Sequence, residues 1–357
     1  MVMGGEISVK NNIHKYYANR WVCSSPYFFI RMMRGFINAH FFKKNTLRVV
    51  ELFPTFNCQL KCTMCSVSKY NDNSRKQLDL NDYGRIARNA AKLGANTLSL
   101  LGGEPLLYNQ LEELISIFHK EHYYIAISTN GYRVTKEKLD DLKASGLDAV
   151  CFSLESVSKE INDSILGEGH YERTMKNIEL AKKAGVRVFV GTVVFPGRVD
   201  VAHGVFQYCH SNNLNASVNA LAPVGNAEKY SQLSNDEFSR LREIIATYPK
   251  VTADWAFSYF LKQRCPGGKE KIGITCYGDV TACSYLPITF GNIYEEPLQA
   301  IWSRMENFSQ FKKDFPGCLA AGDGFFRKEY LKPTYDFPTH PVSYTKLPNI
   351  YNEYKKS

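Results

Sequence analysis

The stretch Phe56-Asn57-Cys58-Gln59-Leu60-Lys61-Cys62-Thr63-Met64-Cys65 governs the reading of the chain. Three of the ten cysteines fall within eight residues there, spaced Cys-x3-Cys-x2-Cys. Thiolates on one short loop can converge on a single metal centre and leave its fourth position without a protein ligand. Structural zinc sites are closed by a fourth Cys or a His, and no histidine lies between His40 and His119. Iron–sulfur clusters are normally held by four thiolates, so a three-thiolate loop implies a cluster with one iron open to another group. A zinc loop that borrows a distant ligand is the alternative.

Outward from this loop, strand, loop and helix alternate from Thr46 to about residue 225. Strands are predicted at 47–52, 97–101, 124–129, 149–154, 186–194 and 216–221, with helices at 111–121, 171–184 and 199–212. Asn81 is the expected cap of a helix ended by Gly94, Thr135 caps one ended by Gly146, and Ser234 with Glu237 forms a capping box. Such alternation implies right-handed crossovers and a parallel α/β sheet. Periodicity alone leaves a doubly wound sheet and a barrel both open.

The cysteine loop resembles the cluster loop of the radical S-adenosylmethionine (SAM) enzymes, in which SAM chelates the open iron of a 4Fe–4S cluster. Gly102-Gly103-Glu104-Pro105, after the second strand, resembles the Gly-Gly-Glu-Pro motif of that family. The resemblance implies a partial (β/α)6 TIM-like barrel over residues 46–230, with chemistry at the C-terminal strand ends. It implies that Met64 lies near the adenine and that Gly102, Gly103, Glu104 and Pro105 hold the amino end of SAM. Ser128, Asn130, Ser153 and Glu155 take the places that contact ribose and methionine, with Glu155 standing where many relatives carry Asp. Ser153 and Glu155 share strand parity and should face the barrel mouth. Cys151 shares it one layer deeper and reads as a small buried side chain. Pro223 to Ala227 resembles the family segment after the sixth strand, useful for fixing register, and His170 and Tyr171 border the site.

Residues 231–320 change character. Cys265, Cys276, Cys283 and Cys318 occur there among glycines, which reads as a small α+β extension stapled by metal rather than by a large apolar core. Cys265-x12-Gly278-x4-Cys283 resembles the opening of the SPASM and twitch extensions of radical SAM enzymes, which bind auxiliary iron–sulfur clusters. The cysteine count implies one auxiliary 4Fe–4S cluster. Cys276 is expected as its fourth ligand; otherwise it stays a free thiol able to donate hydrogen. A zinc site with four cysteines is the structural alternative. Residues 321–357 are rich in Pro and Tyr without periodicity, so an extended or disordered tail is expected.

The composition, 44% apolar and 22% charged over 357 residues, is that of a soluble globular protein. Neither a membrane-length apolar run nor a signal peptide is present in the sequence. A cytoplasmic, reducing location is expected, where cysteines serve as ligands. The net charge of +9 is concentrated in residues 1–48, which carry +7, and residues 319–357, which carry +2. The body between them is neutral, which argues against nucleic-acid binding. Residues 1–45 form a basic, aromatic extension. Its aromatics are expected to pack on the barrel with its charges in water; a weak membrane-surface contact through residues 14–44 is the alternative.

The family chemistry implied is reductive cleavage of SAM to a 5′-deoxyadenosyl radical, followed by hydrogen abstraction from an unactivated carbon. An electron donor such as flavodoxin or ferredoxin is implied with it. An auxiliary cluster favours an oxidative outcome, dehydrogenation or cross-linking. Epimerisation with Cys276 as hydrogen donor, or maturation of a peptide, is the alternative; a non-catalytic metal-stapled scaffold is the alternative of another class. Residues 1–45 look too short for a winged-helix leader-peptide module, which tilts the expectation toward a small-molecule substrate over a peptide.

Overall fold

β1 (Val49–Phe53) is buried at all five positions, as a strand covered on both faces must be. In the computed structural model, which describes residues 25–355, it opens a parallel series. β2 (Thr97–Leu100), β3 (Tyr124–Thr129), β4 (Ala149–Ser153), β5 (Arg187–Val194) and β6 (Asn215–Ala220) pair in chain order. All six predicted strands form within two residues of their expected bounds. Two parallel strands join them: β7 (Val251–Ala253) beyond β6, and β8 (Lys271–Thr275) on the free edge of β1. β8 then turns back into β9 (Asp279–Thr281) and β10 (Ile288–Asn292), and β11 (Val342–Ser343) adds to β10. The outcome is one eleven-stranded sheet, open between β7 and β11, with the extension continuing the partial barrel.

Four expectations are corrected. Residues 231–320 do have a large apolar core. Trp255, Ile272, Val280, Phe290 and Trp302 pack in the same cluster as Leu52, Leu98 and Val190 of the barrel. The reason lies in β8, which is buried at every position and needs apolar cover on both faces.

The C-terminal segment is not an extended tail. Short helical turns span 327–334, a helix runs Pro348–Lys355, and Leu331, Thr334, His340, Val342 and Ile350 are buried. It clamps the chain after the cysteine loop: the His340 N–H donates to the Lys69 carbonyl at 2.9 Å, and Lys69 Nζ donates to the Tyr335 carbonyl at 2.9 Å.

The helix Leu80–Lys92 starts two residues earlier than expected, capped by Asp79 in a reciprocal box with Asp82 rather than by Asn81.

The fourth correction concerns α1 (Pro26–Phe41). It lies across the barrel base, where Phe28 packs with Tyr124, Ala149 and Phe189 at the N-terminal ends of β3, β4 and β5. A Cβ at Gly35 would fall 2.4 Å from the ring of Tyr259, so the helix sits close. Arg31 turns inward rather than to water, whereas Arg34, Lys43 and Lys44 are exposed as expected. Arg31 donates to the carbonyls of Glu121 and Ala95 at 2.8 and 3.2 Å, and Arg34 to that of Lys92 at 3.2 Å. These carbonyls end or follow barrel helices and lack partners within them. Cys23 and residues 14–24 of the basic stretch lie outside the described residues.

Candidate active site

β1 runs directly into the cysteine loop, and the turn after β2 lies against it. The N–H groups of Gly103 and Glu104 donate to the carbonyls of Thr55 and Asn57 at 2.9 and 2.8 Å. A Cβ at Gly103 would stand 2.4 Å from the carbonyl oxygens of both Phe56 and Asn57, and Gly102 has φ +147°. The two glycines therefore serve the close approach of one backbone to another. Glu104 is fully buried. Its carboxylate accepts from the N–H groups of Leu106 (3.0 Å) and Asn130 (2.8 Å) and from the Thr129 hydroxyl (2.7 Å). It thus fastens the turn starting at Pro105 to the end of β3.

Asn130 is thereby set beside the loop: its Nδ2 lies 3.7 Å from Cys58 Sγ, and its Oδ1 accepts from Gln59 at 2.9 Å. Met64 packs with Ile165, Leu166 and Phe195. Ser153 is half-buried at the end of β4. Glu155 is buried, accepting from the Val193 N–H at 2.6 Å and the Thr192 hydroxyl at 3.4 Å. Burial raises its carboxyl pKa to about 8. Its charge acts on both Cys62 and Cys151, so it stands between the loop and the barrel interior.

The segment after β6 does more than fix register. A Cβ at Gly225 (φ +59°) would lie 2.4 Å from the Cys65 carbonyl. Asn226 donates through its N–H to that same carbonyl and through Nδ2 to the Cys62 carbonyl, both at 2.9 Å. The signal was the Pro-x-Gly-x-Ala pattern itself: a glycine with positive φ beside an amide suits close contact with another backbone.

Burial pushes the thiols of Cys58, Cys62 and Cys65 up, Cys62 to about 12 with repulsion from Cys65 and Cys58 adding to it. Three thiolates here require a compensating cationic centre, which is the condition a cluster meets. Among the described residues no group of three or more His, Cys, Asp or Glu side chains closes on a single metal ion.

Of the four C-terminal cysteines the structure brings together three. Cys265, Cys283 and Cys318 line one small cavity with Asp254, Lys271 and Tyr285. Cys283 is pushed well above its ordinary pKa by burial, then by Glu51 and by the other two thiols; Cys318 is pushed to about 12 by burial and Cys265. Cys276 is elsewhere, contrary to its expected place as fourth ligand. It sits in the turn between β8 and β9, fully buried among Phe53, Phe56, Tyr70 and Tyr277. Closeness in sequence misled here, because the reversal after β8 aims Cys276 at the cysteine-loop side.

Inside the barrel, toward the N-terminal ends of its strands, lies a chamber of about 240 Å³ that shares Asp254 and Lys271 with the auxiliary cavity. Ser99, Ser128, Cys151 and Ser217 lie on its wall, Phe28 and Arg48 near its base, and Lys271 and Asp254 where it meets the auxiliary cavity. Cys151 does face the interior, as its parity required, but it reaches this chamber instead of being sealed in apolar packing. Lys271 is buried and donates to Glu51 at 2.8 Å and Asp254 at 2.6 Å; the Ser284 N–H donates to Glu51 at 2.7 Å. Burial lowers the Lys271 pKa, but the two carboxylates more than offset this and hold it above its ordinary range. His170 is buried beside Asn162 and Thr174.

A loop of three cysteines over an open parallel barrel, with a second trio under a continuing sheet, defines a SAM-dependent iron–sulfur enzyme with an auxiliary-cluster extension. Residues 52–203 match the radical SAM superfamily and residues 265–320 the SPASM iron–sulfur cluster-binding domain, and the chain belongs to the radical SAM enzymes that carry this domain. Its cofactors are accordingly SAM, the 4Fe–4S cluster that binds it and auxiliary iron–sulfur. The chain is 25% identical over 298 residues to the AdoMet-dependent heme synthase of Methanosarcina barkeri, covering 75% of this chain and 85% of that protein. It is 27% identical over 273 residues to the antilisterial bacteriocin subtilosin biosynthesis protein AlbA of Bacillus subtilis, covering 70% of this chain and 58% of that one. The fold is shared with Streptococcus suis SuiB, solved bound to precursor peptide SuiA, at a TM-score of 0.61 and 20% identity over 79% of this chain and 70% of that chain. No described helix is long and apolar enough to cross a membrane.

Proposed function

We propose that this enzyme oxidises a small organic substrate held in the barrel chamber, with Cys58, Cys62 and Cys65 ligating the SAM-binding cluster and Cys265, Cys283 and Cys318 the auxiliary one. The observation that carries the reading is the barrel chamber meeting, at Asp254 and Lys271, the small cavity that the second cysteine trio lines. When bound, SAM and its cluster supply a radical that takes one hydrogen atom from carbon, and the auxiliary cluster supplies an acceptor for the electron the substrate then sheds. Gly102, Gly103, Pro105 and Met64 shape the SAM pocket, with Glu104 setting the turn. Ser128, Asn130, Ser153 and Glu155 supply polar groups at its wall. Asp254, partly open at the junction, takes the proton released on oxidation. In this reading Cys276 is neither ligand nor hydrogen donor; its packing among aromatics and Cys65, outside the linings of the second trio's cavity and of the chamber, supports that.

The test is anaerobic reconstitution. Two four-iron clusters give about eight iron and eight sulfide per chain, and Cys58/Cys62/Cys65→Ala should halve both and abolish 5′-deoxyadenosine formation. SAM cleavage that survives in that variant sinks the reading. Epimerisation is the second reading, favoured by Cys151 on the chamber wall as a thiol able to return hydrogen. Solvent deuterium in the product, lost in Cys151→Ala, would select it over oxidation.

A further inference from the structure

α1 is apolar on two opposite sides. Phe28, Gly35 and Ala39 face the barrel base, while Phe29, Ile30, Met33, Ile37 and Phe41 are exposed. The second set recurs at three- and four-residue steps, so it forms one continuous outward stripe. Of the eleven large apolar side chains exposed among the described residues, seven lie between Tyr27 and Phe42. A concentrated patch of this kind marks a docking surface, whereas scattered exposed residues do not. Arg31 is drawn inward to backbone carbonyls, and Arg34, exposed beside the stripe, adds to the cations around it.

The charge around the stripe identifies its occupant. No Asp or Glu occurs between Glu6 and Glu51. Lys43 and Lys44 are exposed just after the helix, and Lys120 is exposed beside the Glu121 carbonyl that Arg31 holds. A second copy of the chain would bring the same positive rim against itself. An apolar stripe flanked by cations instead fits the boundary between acyl chains and anionic headgroups, with the helix lying flat in it.

We infer that α1 docks the barrel base onto an anionic lipid surface through Phe29, Ile30, Met33, Ile37 and Phe41, with Lys43 and Lys44 at the headgroups. Phe28, one position from the stripe, lines the chamber, so the docked helix is also the chamber floor. The proposal stands independently of the reaction assigned above.

The test is flotation of the anaerobically purified full chain with vesicles of phosphatidylcholine alone and of phosphatidylcholine mixed with phosphatidylglycerol. Binding is expected to the mixed vesicles and to weaken as salt rises. Lys43→Gln/Lys44→Gln should weaken it by roughly tenfold or more, and Ile30→Glu/Met33→Glu should abolish it. Both variants should keep the parent's iron content and SAM cleavage, which shows that they fold. Three results overturn the proposal. One is no binding by the full chain, including the case where deleting residues 1–24 creates it, since that segment then covers the face. Another is equal, salt-insensitive binding to both vesicles. The last is a dimer in light scattering that Ile30→Glu/Met33→Glu dissociates while vesicle binding is absent.

Discussion

Lys271→Met isolates the network at the junction of chamber and auxiliary cavity. Lys271 and Glu51 are each about 4% exposed, whereas the Asp254 side chain is 39% exposed. Losing the cation therefore costs little at Asp254, where water screens the charge. It costs much at Glu51, which keeps only the Ser284 N–H at 2.7 Å. Breaking a buried pair by removing one partner costs about 3–5 kcal/mol, and the expected loss lies in that range. Glu51→Gln/Lys271→Met should recover most of it, because the amide oxygen still accepts from Ser284 and no buried charge is left alone. The assay is urea unfolding followed by tryptophan fluorescence, on iron-loaded protein, for the parent and the three variants of the cycle. A single variant within about 1 kcal/mol of the parent, or a double variant worse than Lys271→Met, would refute the reasoning.

Burial holds the His170 pKa down at about 4, so the folded protein refuses a proton that the unfolded chain accepts below about 6.5. Its contribution to stability should be fully present above pH 6.5 and fall by about 1.4 kcal/mol per pH unit down to about 4; His170→Gln should flatten the pH dependence of unfolding in that window. Gly103→Ala drives a methyl against two carbonyls of the cysteine loop, and should lower SAM-binding cluster occupancy while leaving auxiliary iron in place, read as iron content on a background with Cys265, Cys283 and Cys318 intact. Cys276→Ser should keep the parent's iron content, and a drop of about half would restore its place as a ligand.

The barrel was legible because its signals are local. The apolar runs that became β1 to β6, the glycine stops and the Ser234–Glu237 box each depend on a few neighbouring residues. The cysteine loop was legible for the same reason, its three thiols being close in sequence. What stayed hidden depends on distant partners. Nothing near Arg31 says that it will meet the Glu121 carbonyl, ninety positions away. The three-residue turns around Lys332 and Tyr344 are too short to carry a period, so the clamp over Lys69 read as a tail. Cys276 was expected beside the other three cysteines because spacing cannot report which side of the β8–β9 reversal a side chain takes.

The ladder between β1 and β8 also sets a schedule. Val49 to Phe53 pair with Lys271 to Thr275, more than two hundred residues later. At a ribosome's rate of about 5–20 residues per second, β1 waits roughly 10–40 s for its outer neighbour. Through that interval the strand leading into Cys58, Cys62 and Cys65 is the free border of an unfinished sheet. The Lys69 clamp arrives later still, with His340. During synthesis the first trio of thiols is therefore open to assembly factors before the last segments fold over its approach, and the nascent chain carries an interval suited to loading its first cofactor.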